Sequence, residues 1–167
     1  MVPEAVLRAR EHAPREAMPI DFAWGKAPKM RVASITWTGP WSEKKIQAQF
    51  ERVQRWAKEH RVGTGRWIFR EPDERKWEAC IDLRGPVRGS PPVRLKTLRA
   101  APVARVVFDP DQLSPRVVYH GLSDWLRWRR KEKEIRAVVD YREVYAGNPW
   151  RDAKAWARTE VQFVVRR

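Results

Sequence analysis

Hydrophobic and polar positions alternate along residues 30–37, which read MRVASITW. Side chains two residues apart on a strand share a face, so this alternation predicts a β-strand. After a Gly-Pro turn, Ser42 is suited to cap a helix, in which apolar residues recur at helical spacing: Ile46, Phe50, Val53 and Ala57. The segments RWIFRE and KWEACIDL follow, and their strand character predicts a hairpin. The first half therefore predicts the order strand, helix, strand, strand.

The second half repeats this order of elements. PVARVVF predicts a strand, and Ser114 followed by Pro115 predicts a helix start, because proline suits the first helical position. The segments YREVY and ARTEVQFVV, separated by the turn AGNPW, predict the last two strands. The sequence thus predicts an α+β fold, in which two strand-helix-strand-strand repeats share an antiparallel sheet about a pseudo-two-fold axis, with the helices packed against it. The predicted repeats are residues 30–83 and 103–167.

Two segments lie outside these repeats. Residues 1–29 contain four scattered prolines and one small apolar cluster, which predicts an N-terminal arm made of a short helix and an extended segment. Residues 84–102 contain five basic residues, four prolines and no acidic residue. This composition predicts a basic linker, or a long irregular connection, between the two repeats.

The charge balance suggests nucleic-acid binding as one hypothesis. The 167-residue chain has 35 basic and 21 acidic residues, a net charge of +14, and ten tryptophans. Basic surface and aromatic rings both suit a nucleic-acid partner. Acidic residues are nevertheless interspersed with the basic ones outside residues 84–102, and the sequence contains no nucleic-acid-binding motif. Nucleic-acid binding is therefore the last of three hypotheses.

Other classes of protein are not expected. No apolar stretch approaches the roughly 18 residues of a membrane helix, and the N-terminus is too charged for a secretory leader, so a cytoplasmic protein without a membrane partner is expected. The single cysteine and three histidines have no metal-ligand spacing. We expect no metal, no cofactor and no internal disulfide.

Several short motifs together resemble a known family. They are MRVASITW with its Thr-Gly-Pro-Trp turn, the helix ending RVQRWAKEH, and REVYAGNP followed by RTEVQFVV. These resemble the GyrI-like small-molecule-binding domain, the effector-binding domain of AraC- and MerR-type multidrug-sensing regulators. The resemblance covers about residues 30–167 and implies two strand-helix-strand-strand modules, the architecture that the periodicity predicts independently.

The resemblance implies binding of amphipathic, often cationic, organic molecules. A stand-alone small-molecule-binding protein is therefore the first hypothesis. Some free-standing relatives hydrolyse reactive cyclopropane-bearing genotoxins, which makes a hydrolase of electrophilic compounds the second hypothesis, and others bind partner proteins such as gyrase. Because 29 residues cannot hold a helix-turn-helix, we expect no DNA-binding domain before residue 30 and no direct control of transcription.

The family's Glu-x-Tyr strand, whose glutamate lies in the ligand pocket, corresponds to Glu143 and Tyr145. These two side chains share one face of a strand, and the repeat places Trp67 and Phe69 beside or opposite them. We expect one carboxylate in an aromatic pocket that suits a cationic or polarised ligand. The expected ligand-binding residues are Glu143, Tyr145, Trp67, Phe69, Trp37, Trp41 and Trp150. In a hydrolase, Glu143 would be the general acid or base.

Some of these residues also have ordinary structural interpretations. Glu143 would pair across the sheet with a cation such as Arg158. Cys80 would face the pocket or pack as a small hydrophobe, and Glu160, which aligns with it in the repeat, is a second candidate carboxylate. His120 would be solvated or hydrogen-bonded rather than a base. Four tryptophans are expected in the core or on the surface: Trp56, Trp77, Trp125 and Trp156.

Overall fold

A computed structural model of the chain describes residues 20–167. Eight strands form one antiparallel sheet: β1 (Ala23–Ala27), β2 (Met30–Thr38), β3 (Thr64–Asp73), β4 (Lys76–Leu83), β5 (Arg94–Leu98), β6 (Ala101–Phe108), β7 (Ala137–Tyr145) and β8 (Thr159–Arg166). Among residues 20–167, three helices connect them: α1 (Glu43–Glu59), α2 (Pro115–Lys131) and the short α3 (Ala153–Ala157). The predicted α+β class and both strand-helix-strand-strand repeats are confirmed.

The order of strands in the sheet shows the pseudo-two-fold symmetry. The order is β1-β6-β8-β7-β3-β4-β2-β5, so β3 and β7 meet at the centre. Outward from β3 come β4 and β2, and outward from β7 come the equivalent strands β8 and β6. Ile68 on β3 lies opposite Val144 on β7 in an antiparallel register. Antiparallel neighbours are related by a local two-fold axis, and here that axis relates the two repeats.

The short connections require the sheet to curl. β1 and β2 are six strand spacings apart in the sheet, which would be about 29 Å if the sheet were flat. Only two residues separate Ala27 from Met30, and this length of chain spans at most about 11 Å. The same holds between β5 and β6. The sheet therefore folds back until its two edges are close together.

The two long helices cover one face of the sheet, hereafter the helix face. In α1, Ser42 accepts a hydrogen bond from the Lys45 backbone N–H, as predicted for an N-cap, and Phe50 and Val53 are completely buried. In α2, Ser114 occupies the N-cap position and Pro115 follows in the first turn, also as predicted. No helix among residues 20–167 is long and apolar enough to cross a membrane.

The opposite face of the sheet, inside the curl, is also buried and contains paired charges. Glu78 is fully buried and forms ion pairs with Arg70 and, at 2.6 Å, with Lys96. Asp140 pairs with Arg70 at 3.0 Å and with Arg142 at 2.8 Å. Buried charges require such partners, because an isolated ion inside a protein loses its hydration without compensation.

Two segments differ from the predictions. Residues 84–102 are not an irregular connection throughout, because β5 lies within them and pairs with β2 at the edge of the sheet. Residues 20–29 include β1, which pairs with β6. The predicted short helix at the N-terminus falls within residues 1–19, outside the described part of the chain. The extra strands arise because the open edges of β2 and β6 offer backbone hydrogen bonds that a nearby extended segment can satisfy.

Candidate functional site

A cavity of about 340 Å³ lies on the helix face, above the central strands. Its lining combines residues from both repeats: Phe69 on β3 and Glu143 on β7 are cross-strand neighbours, and the first turns of α1 and α2 contribute Ile46 and Tyr119. The cavity therefore lies where the two repeats meet. Two small units packed about a two-fold axis leave such a space between their helices, as the repeat predicts.

Glu143 lies in this cavity and is held by two tyrosines. The Tyr119 hydroxyl donates a hydrogen bond to Glu143 Oε1, and the Tyr145 hydroxyl donates one to Oε2 at 2.8 Å. Both tyrosine rings are buried, whereas Glu143 retains some surface toward the cavity. The predicted alternative, a cross-strand ion pair with Arg158 or another cation, is wrong: within residues 20–167, no basic side chain forms an ion pair with Glu143.

The surroundings of Glu143 change its acidity. Burial raises the pKa of Glu143 above the usual carboxyl value, and the hydrogen bonds from Tyr119 and Tyr145 only partly oppose this effect. Burial and the adjacent carboxylate raise the pKa of both tyrosines well above the ordinary phenol value. The tyrosines thus remain protonated donors at neutral pH, and Glu143 is the group of this cluster that can change charge.

Aromatic side chains form much of the cavity wall. The lining residues with aromatic rings are Trp41, Phe50, Phe69, Phe108, Tyr119, Tyr145, Trp150 and Trp156. The Phe50 and Trp150 rings are 5.9 Å apart between centroids, and Trp156 donates its Nε1–H to Asp111 at 2.9 Å, which fixes the indole. Aromatic faces attract cations through their quadrupole, so the wall and the carboxylate favour the same sign of ligand charge.

The cavity contains five of the seven predicted site residues: Glu143, Tyr145, Phe69, Trp41 and Trp150. Trp67 is close but does not line it, because its ring is buried and stacks on Phe50 at 5.1 Å, behind the wall. Trp37 lies opposite Trp77 in the pairing of β2 with β4, away from the cavity lining. The prediction that these two tryptophans line the pocket is therefore wrong. Trp67 is kept from the cavity because Phe50 stacks on it and lines the wall in its place.

Three further candidate residues lie elsewhere. Glu160 pairs with Val144 across β8 and β7, faces the inside of the curl, and forms an ion pair with Arg105, so it is not a second cavity carboxylate. Cys80 is completely buried on that same side, where it packs as a small hydrophobe. His120 Nε2 lies 3.1 Å from Asp124 on the surface of α2, consistent with the structural interpretation.

Tyr119 and Trp156 are cavity residues that the sequence did not identify. Trp156 was expected in the core or on the surface, but it lines the cavity from α3. Tyr119 follows Val118 on α2, and its place opposite a strand 24 residues later depends on how α2 packs on the sheet. The only signal for Tyr119 in the sequence is its position beside the apolar stripe near the start of α2. A tyrosine at such a position is equally typical of an ordinary core.

Comparison with known proteins shows where this fold occurs. No known family model and no curated protein matches the sequence. Among solved structures, the crystal structure of the EcmrR C-terminal domain has a TM-score of 0.71 at 18% identity, covering 90% of this chain and 99% of that domain. The EcmrR chain in a cryo-EM complex with DNA has a TM-score of 0.73 at 18% identity, over 98% of this chain and 66% of that chain. A third structure, SAV2435 bound to tetraphenylphosphonium, has a TM-score of 0.51 at 11% identity, over 88% of this chain and 94% of that chain.

The chain has the fold of the EcmrR C-terminal domain. The predicted resemblance to GyrI-like effector-binding domains is thereby confirmed at the level of the fold. This chain corresponds to 66% of the EcmrR chain seen with DNA, and it matches nearly the whole of the separate C-terminal domain.

Proposed function

We propose that this protein binds amphipathic organic cations in the cavity between α1 and α2, with Glu143 as the charge partner. The observation that supports this most directly is a carboxylate that faces an aromatic cavity and forms no ion pair among residues 20–167, although Arg116 also lines that cavity. In water, an organic cation is hydrated. In this cavity, aromatic faces and one partly desolvated carboxylate replace that hydration.

The size and lining of the cavity support a ligand with several rings. A volume of about 340 Å³ falls within the range of small-molecule pockets, and its lining is largely apolar. SAV2435, which shares the fold, has been solved with tetraphenylphosphonium, a delocalised aromatic cation. We therefore take tetraphenylphosphonium as the first probe and an uncharged tetraphenyl analogue as its matched control.

The test is calorimetric titration of both probes into the wild-type protein and the variant Glu143→Gln. This substitution keeps the side-chain shape and removes the charge, so affinity for the cation should fall roughly ten-fold or more while affinity for the uncharged analogue changes little. Equal affinity of wild type and variant for the cation would refute the role of Glu143. As a control for the wall, Trp156→Ala should weaken both probes, because it removes aromatic contact rather than charge.

Hydrolysis of a strained electrophile is a second proposal. It is supported by the raised pKa of Glu143, because a carboxyl group that retains its proton closer to neutral pH can act as a general acid on a small ring. The hydrogen bonds from Tyr119 and Tyr145 would hold this group in position. Product formation from a cyclopropane-bearing electrophile should then disappear in Glu143→Gln, although the neutral substrate still binds. Turnover that survives this substitution would exclude the acid or base role.

A further inference from the structure

A second concave site lies on the outer side of α1, separate from the ligand cavity. This groove of about 230 Å³, hereafter the basic groove, is lined by Glu51, Gln54, Arg55, Lys58, Trp67, Asn148 and Arg151. Its four α1 residues follow one another at the spacing that places side chains on one face of a helix. Asn148 and Arg151 belong to the turn between β7 and α3, which faces that stripe.

Three cations in the basic groove have no anionic partner in the described part of the chain. Arg55, Lys58 and Arg151 are exposed, and none of them forms an ion pair within residues 20–167. Glu51 lies one helical turn before Arg55, yet its Oε1 accepts a hydrogen bond from Gln47 at 3.3 Å instead of pairing with the arginine. The groove therefore has more positive than negative charge.

The amide side chains of the groove have their acceptor atoms occupied by the protein. Gln54 Oε1 accepts from the Thr64 hydroxyl at 3.2 Å, and Asn148 Oδ1 accepts from the Trp150 backbone N–H at 3.0 Å. Each amide is thereby oriented with its NH₂ group left for another partner. Apart from Glu51, the polar groups of the groove are thus N–H donors.

Hydrogen-bond donors on two guanidinium groups, one ammonium and two amides match the oxygens of a multiply charged anion. Guanidinium groups form forked hydrogen bonds with phosphate and carboxylate, and such charge-assisted bonds are stronger than neutral ones. Trp67, buried at 3% exposure and stacked on Phe50, gives the groove a rigid apolar base. We propose that the basic groove binds a small polyanion with two or more phosphate or carboxylate groups.

The test uses pyrophosphate and citrate as probes, titrated calorimetrically into the full chain at about 150 mM salt, where nonspecific attraction is screened. Orthophosphate is the matched single-group anion and should bind much more weakly than either probe. In the double variant Arg55→Gln/Arg151→Gln, affinity for the probes should fall roughly ten-fold or more, since two charge-assisted contacts are lost. The variant Arg130→Gln/Arg136→Gln removes the same charge at two exposed positions outside the groove, and it should bind like wild type.

A gain of affinity provides an independent check. Glu51→Gln removes the one carboxylate from the groove, so it should strengthen binding of both probes, an effect that damage to the fold would not produce. Failure of wild type to bind either probe, or an equal loss in the two double variants, would overturn the proposal. A third outcome would also overturn it: wild type binds duplex DNA but neither small anion, and only Arg55→Gln/Arg151→Gln loses the DNA binding. The groove would then contact a nucleic-acid backbone rather than a small polyanion.

Discussion

Tyr119 donates a hydrogen bond to Glu143 and so connects α2 to the central strand of the sheet at the base of the cavity. Tyr145, on the same strand face as Glu143, donates to the second carboxylate oxygen. The carboxylate is therefore fixed in position by two protonated phenols. No basic side chain among residues 20–167 forms an ion pair with it, so burial dominates the pKa of Glu143 and determines how binding and stability should depend on pH.

Binding of tetraphenylphosphonium should weaken as the pH is lowered, and this loss should begin at a higher pH than for an exposed glutamate. The reason is that the pKa of Glu143 is raised by burial, and only the ionised form attracts the cation. Titrations of tetraphenylphosphonium at a series of pH values from about 4.5 to 8 would give the midpoint of the change in affinity. Glu143→Gln should show no such midpoint, and a flat profile in wild type would contradict the prediction.

Tyr119→Phe should move that midpoint to still higher pH. The Tyr119 hydrogen bond lowers the pKa of Glu143, so its removal leaves burial less opposed and raises the pKa further. Tyr145→Phe should shift the midpoint in the same direction, because that hydroxyl also donates to the carboxylate. As a control, Glu132→Gln changes an exposed residue outside the ligand-cavity lining and should leave the midpoint unchanged. A downward shift in either test variant would mean that these tyrosines do not stabilise the ionised form.

Glu143→Gln should make the protein more stable at pH 7 by roughly 0.5–2 kcal/mol, the usual size of a stabilising substitution, because it removes a buried charge. Because the folded-state pKa of Glu143 is raised, its contribution to stability is present at low pH and is lost as the pH rises through that value. Chemical denaturation at pH 7 and at pH 4 would measure the difference. The gain should shrink at the lower pH, and a variant less stable than wild type at pH 7 would contradict the argument.

Glu78→Ala should have the opposite effect and destabilise the fold by about 3–5 kcal/mol, because it leaves Arg70 and Lys96 without their shared partner. Burial alone would raise the pKa of Glu78, but the hydrogen bond from Lys96 and the charge of Arg70 outweigh it and lower the pKa. The stabilisation is therefore present at neutral pH and is lost as the pH falls through this lowered value. Urea denaturation would measure the loss, and Glu132→Ala, at the exposed C-cap of α2, is the control.

Nucleic-acid binding should be weak and should vanish near physiological salt. Nonspecific contacts to phosphate lose affinity steeply with ionic strength, and two of the basic residues on α2 are already paired, Arg127 with Asp124 and Arg129 with Glu134. Fluorescence anisotropy with labelled duplex and single-stranded DNA at a series of salt concentrations would measure this. Sequence-selective binding that resists salt would instead support the nucleic-acid hypothesis.

The sequence alone determined the repeated architecture and the face on which the central site residues lie. Alternation along β3 and β7 placed Phe69, Glu143 and Tyr145 on one side, and the capping and proline signals placed the starts of both long helices correctly. These features follow from local geometry, since the side-chain period of a strand and the backbone preferences of a helix terminus act over a few residues.

Only the tertiary structure decided which residues meet Glu143 and which do not. Tyr119 reaches it because α2 packs across the sheet, and Trp67 is displaced from the cavity because Phe50 stacks in front of it. The strand β5 likewise forms only because the curled sheet offers an open edge on β2. Such contacts depend on the packing of distant segments, and the same apolar or aromatic residue satisfies the local pattern whether it lines a cavity or fills the core.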